Sequence, residues 1–107
     1  VSNVTEKNRA ILLTGLPNKS DFSEAVISKL INDFQNWKKV RMIGSAAIAS
    51  TYVASGKVDL YKEFNTFLWD IAAGAAIVES AGGTAIIENY DDSSFQVDVV
   101  LSNSKIS

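Results

Sequence analysis

This sequence contains neither histidine nor cysteine, so besides its lysines and arginines the side chains able to do chemistry are oxygen acids and hydroxyls. That removes the commonest general base and the commonest zinc ligand, together with disulfides and thiolate metal sites. Two features remain. Asp70 opens the run Trp69-Asp70-Ile71-Ala72-Ala73-Gly74-Ala75-Ala76-Ile77-Val78-Glu79-Ser80-Ala81, where the unpaired N–H groups of a first helical turn favour an anion; taken alone, it reads as a helix N-cap. Ser45, in Gly44-Ser45-Ala46-Ala47, can cap a second helix, whose first-turn N–H groups offer a site for an anion or a sugar hydroxyl. Glu63 alone reads as a solvated loop acid. Asp59 and Tyr61 sit at a strand–loop junction and read as turn hydrogen-bonding groups. Asp91-Asp92-Ser93-Ser94 is only superficially like a calcium loop, since the ligand spacing and the glycine are wrong; it reads as a turn.

The elements that must position these groups follow from periodicity. Residues 1–9 form an irregular lead-in. Ala10–Thr14 is a continuous apolar run closed by Gly15-Leu16-Pro17-Asn18, which predicts a strand buried on both faces. Asp21-Phe22-Ser23-Glu24 resembles a helix start with its acid three residues on. A helical stripe of Ile27, Leu30, Ile31 and Phe34 follows, with Lys29, Asn32, Asp33 and Gln35 outside, ending near Trp37. Val40–Ile43 is a second strand, leading into a small-residue helix that runs to Gly56. Val58–Tyr61 is a third strand, and residues 62–67 a connection to the central helix.

That central helix is apolar on nearly every side and should be buried. Its stripe is Ile71, Ala75, Val78 and Ala81, with Ala73, Ala76 and Ile77 on the other flank; Trp69 reads as core packing. Gly82-Gly83 stops it. Thr84–Glu88 and Val97–Leu101 are further strands, joined closely enough to favour an antiparallel hairpin. The alternation implies an α/β fold: a mixed, mostly parallel sheet with helices packed on its faces.

At 107 residues the chain is one small domain. A net charge of −2 gives no basic patch, so no nucleic-acid partner is expected. No apolar run spans a bilayer and no signal peptide opens the chain, so no membrane partner and a cytoplasmic setting are expected.

Two blocks carry a resemblance. Arg41-Met42-Ile43-Gly44-Ser45-Ala46-Ala47 with Val53–Tyr61, and then Trp69-Asp70 through Gly82-Gly83, are similar in order and spacing to the inositol monophosphatase family, as is Thr14-Gly15-Leu16-Pro17 ahead of them. These are lithium-sensitive, magnesium-dependent phosphomonoesterases of the sugar phosphatase superfamily. The resemblance is to the C-terminal half only, since the Asp-Pro-x-Asp-Gly-Thr pattern and the upstream Glu-Glu pair are absent. It implies that residues 1–107 are a C-terminal subdomain of a sugar phosphatase-like fold, whose partners are a phosphorylated small-molecule substrate and a missing N-terminal half, with a homo-oligomer possible. It also implies that Asp70 binds metal, that Glu63 bonds a substrate hydroxyl, and that the Ala46 N–H beside Ser45 contacts substrate. Mg2+ would belong to the complete enzyme and bind weakly or not at all here, leaving the isolated chain inactive. The rival expectation is a non-catalytic binding or assembly module.

Overall fold

The computed structural model describes residues 1–15 and 23–106. The expected loop at Leu16-Pro17-Asn18 and the Asp21-Phe22 part of the helix start lie outside the described residues. The strands are β1 (Ile11–Thr14), β2 (Lys39–Met42), β3 (Leu60–Phe67), β4 (Thr84–Asp91) and β5 (Gln96–Ser102); the helices are α1 (Glu24–Asn36), α2 (Ala46–Ala54) and α3 (Leu68–Ser80). The strands form one sheet in the order β2-β1-β3-β5-β4. β1 is parallel to both β2 and β3, while β5 is antiparallel to β3 and to β4. The mixed α/β sheet and the hairpin are therefore as expected.

The two faces of the sheet have separate cores. Leu13, Tyr61, Val97, Val99 and Leu101 point at α2 and α3, meeting Ala49, Val53, Ile71, Ala75 and Val78. Leu12 lies on the other face with Ala10 and Trp37, beside half-buried Val40 and Leu60. Strand alternation sends consecutive residues to opposite faces, which is why Leu12 and Leu13 serve different cores.

Small residues set the α2–α3 contact, as their spacing predicts: a β-carbon on Gly74 would overlap the fully buried Ser50 hydroxyl. The end of α3 is a Schellman motif. The Gly83 N–H donates to the Val78 carbonyl at 2.9 Å, the Gly82 N–H to that of Glu79 at 3.1 Å, and Gly82 takes φ +95°.

Five expectations need correction. First, α3 is buried along one stripe only, Ile71, Gly74, Ala75 and Val78, while Ala72, Ala73, Ala76, Ile77 and Ala81 are exposed. The sheet and α2 cover one side, and no described element covers the other. Second, Trp69 is not core: it is 62% exposed and stacks on Phe67 at 4.8 Å, with Phe95 beside it at 5.9 Å. Third, Asp33 does not face outward but pairs with Lys62 of β3 at 2.8 Å. Fourth, residues 62–67 are strand rather than connection.

The fifth correction concerns Asp59. Asp59 is buried, and its carboxylate accepts the Ile11 N–H at 2.7 Å and the Ser2 hydroxyl, contacts far along the chain rather than within a turn. Ser2 in turn accepts from the buried Asn103 amide at 2.9 Å, which also donates to the Val4 carbonyl at 2.8 Å. Residues 1–4 are thus fastened across the start of β3 and the end of β5.

Candidate functional site

Three chain segments bring their ends to one edge of the sheet. β1, β2 and β3 run parallel, so their carboxyl ends lie together, and a helix that follows a parallel strand must begin at that edge. α2 begins just after β2, where the Ile43 N–H reaches the Thr14 carbonyl at 3.4 Å. α3 begins directly after β3. In open α/β sheets this carboxyl edge is where ligands bind.

At the start of α2, Ser45 is the N-cap: its hydroxyl oxygen accepts the Ile48 N–H at 3.2 Å. Ala46, half-buried, is the first helical residue. Its N–H and that of Ala47 have no partner within the helix and remain available to an anion or a hydroxyl. At the start of α3, Phe67 occupies the cap position without a side-chain cap bond, and Asp70 is an exposed acid in the first turn. Asp70 is therefore not the cap; its carboxylate is left to favour the helix dipole and whatever lies before it.

Glu63 is a half-buried strand residue, not a solvated loop acid. The register pairs Thr14 with Lys62, which sets Gly15 level with Glu63. The Glu63 side chain occupies the space that a side chain at Gly15 would need. Tyr61, two residues back on the same face and completely buried, donates its hydroxyl to Glu63 Oε2. Burial first, then this bond, then the negative charges of Glu63 and Asp70 push the Tyr61 hydroxyl far above the ordinary phenol range.

Glu63 thus lies on β3, Asp70 in the first turn of the helix that follows β3, and Ser45 and Ala46 at the start of the helix that follows β2. Tyr61 is thus a buried strand residue bonded to Glu63 and not a turn group, and Gly15 is the neighbour that sequence reading missed; a tyrosine two positions before an acid in a strand was the available signal. Asp91 ends β4 and opens the expected turn: its Oδ1 accepts from the Ser93 N–H at 2.9 Å and the Ser93 hydroxyl at 2.6 Å, and these bonds hold its carboxyl below the usual range.

The arrangement does not amount to a magnesium site. Among the described residues no group of three or more histidine, cysteine, aspartate or glutamate side chains could hold a metal ion. Glu63 and Asp70 both carry hard carboxylate oxygens, and one oxygen of Glu63 already accepts the Tyr61 hydroxyl. No described helix is long and apolar enough to cross a membrane.

Comparison with known proteins gives this edge its context. The inositol monophosphatase family matches residues 1–103. Phosphatase IMPL1, chloroplastic, of Arabidopsis thaliana is 35% identical over 107 residues, which is 96% of this chain and 28% of that protein. The putative Nus factor SuhB of Neisseria meningitidis is 35% identical, across 99% of this chain and 41% of its own length. The solved structure of Mycobacterium tuberculosis SuhB superposes with a TM-score of 0.79 at 33% identity, covering 94% of this chain and 39% of that one. The chain spans less than half the length of these relatives, and it belongs to the inositol monophosphatase family.

Proposed function

We propose that this chain is the C-terminal subdomain of a magnesium-dependent phosphomonoesterase acting on an inositol phosphate or a related sugar or nucleotide phosphate. The supporting observation is that Ser45 caps the helix that follows β2, Asp70 lies in the first turn of the helix that follows β3, and Glu63 lies on β3 itself. On this reading Asp70 is a metal-binding carboxylate, Glu63 accepts a substrate hydroxyl, and the Ala46 N–H with the Ser45-capped helix start binds an oxygen of the substrate. Glu63 tilts the substrate toward a polyhydroxylated ester. On this reading the remaining metal ligands come from the rest of the protein, since the chain spans 28% and 41% of the length of the Arabidopsis and Neisseria relatives.

The isolated chain should therefore release no phosphate from inositol monophosphate or a 3′-phosphonucleotide at millimolar magnesium. Uncatalysed phosphate-monoester hydrolysis is so slow that losing most of the site removes the bulk of an acceleration of up to ~10²¹-fold. The test is a chimera in which this chain replaces the matching segment of the Arabidopsis phosphatase, compared with the same chimera carrying Asp70→Asn. Phosphate release lost in Asp70→Asn supports the reading. Release by the isolated chain, or by a chimera indifferent to Asp70→Asn, overturns it.

A non-catalytic assembly module is the second reading. It is favoured by the Nus factor name of the Neisseria relative and by the exposed apolar flank of α3 around Ile77. A folded chimera without phosphatase activity would favour it.

A further inference from the structure

We propose that Tyr61 is a positioning residue for Glu63: its buried hydroxyl holds the Glu63 carboxylate in one orientation, in the space that the missing side chain of Gly15 leaves, ready to receive a hydroxyl of a polyol phosphate. This rests on the reading of Glu63 given above and deepens it.

The Tyr61 ring is completely buried in the core between the sheet, α2 and α3, so its hydroxyl has a fixed place. Alternation along β3 puts residues 61 and 63 on the same face, and the hydroxyl donates to Glu63 Oε2. Gly15 leaves the room that the other carboxylate oxygen and the side-chain stem fill, since any β-carbon there would overlap Glu63 Oε1, the carboxyl carbon and Cγ. A long acid side chain normally gives up rotamer freedom when it binds; here that freedom is removed beforehand, which is the benefit of preorganisation. The donor is a neutral phenol, so it fixes the carboxylate without cancelling its charge. An ionised carboxylate has about four acceptor directions and Tyr61 uses one, leaving capacity for a substrate hydroxyl.

The test uses the 107-residue chain with 13C-labelled glutamate at neutral pH, following the Glu63 Cδ resonance and the nuclear Overhauser contact of the Glu63 Cγ protons to the Gly15 α-protons. Tyr61→Phe should abolish that contact and move Glu63 Cδ toward the position of solvent-exposed glutamates, whereas Tyr52→Phe should change neither. A Glu63–Gly15 contact that survives Tyr61→Phe overturns the proposal. Should Tyr61→Phe fail to fold, Glu63→Gln supplies the converse measurement: the Tyr61 hydroxyl proton should shift and exchange faster, and an unmoved proton overturns the proposal. Titration with myo-inositol separates the underlying reading. Binding sensed at Glu63 and weakened about tenfold by Tyr61→Phe supports both parts. No response at Glu63 to myo-inositol, with the Tyr61 effect intact, overturns hydroxyl binding and supports positioning alone.

Discussion

Gly74 of α3 lies directly against Ser50 of α2, so closely that a β-carbon would overlap the serine hydroxyl. That hydroxyl is already committed, donating to the Ala46 carbonyl at 2.7 Å in the first turn of α2. Gly74→Ala should therefore cost about 1–3 kcal/mol by overpacking. Urea denaturation of Gly74→Ala, Ser50→Ala and the double variant checks this. The double variant should recover part of the loss, giving a non-additive cycle; strict additivity would show that the helices separate instead.

The half-buried nature of α3 separates two neighbouring residues. Val78 is completely buried and Ile77 is 51% exposed. Val78→Ala should cost about 1–3 kcal/mol through lost burial and a cavity, while Ile77→Ala should stay within about 0.5 kcal/mol, as surface substitutions do. Equal losses in chemical denaturation would contradict the one-sided packing.

The two tryptophans differ in the same way. Trp37 is 7% exposed and Trp69 is 62% exposed. Iodide should quench one component of the fluorescence readily and leave the other protected. Trp69→Phe should remove the quenchable, red-shifted component. Retention of that component would place the exposed indole elsewhere.

Tyr61 sets a pH dependence whose sign follows from linkage. Its folded-state titration is raised by burial and by Glu63, above the ordinary phenol value of about 10 in the unfolded chain. The protonated form is therefore favoured by folding. The resulting stability is complete below about pH 10 and falls as pH rises past it, where the unfolded chain ionises first. Tyrosinate absorbance on alkaline titration should show one tyrosine appearing only with unfolding, and Tyr61→Phe should lack that late component.

Much of this was legible from residue types. Ser45 announced its cap, Gly82-Gly83 its Schellman stop and residues 84–101 their hairpin, because each is a local signal. The length of β3 was hidden because two β3 residues, Phe64 and Asn65, stand opposite Asp98 alone. Such a bulge breaks the two-residue alternation that identifies a strand. Glu63 was consequently read as a loop acid, and its bond to Tyr61 went unseen. Trp69 and Ile77 were misplaced for another reason: periodicity locates an apolar flank but not the neighbour that covers it, and here no described element does.

The bulge in β3 has a counterpart in β4, where Asn89 and Tyr90 stand against Val97 alone. Both asparagines take positive φ, 56° each, and both are tied to one carboxylate: Asp98 accepts the Asn65 N–H at 3.0 Å and the Asn89 side-chain amide at 2.8 Å. The two flanking strands each carry one extra residue, so they come back into phase together and meet Gln96 at Phe67 and Asp91. A slip of one residue would turn each side chain beyond the bulge to the opposite face. Since α3 starts at the next residue after β3, that slip would also swing the first turn of the helix, and Asp70 with it, away from the sheet edge. The aim of Asp70 is thus governed from Asp98, which works as a phase lock on the strand that delivers it.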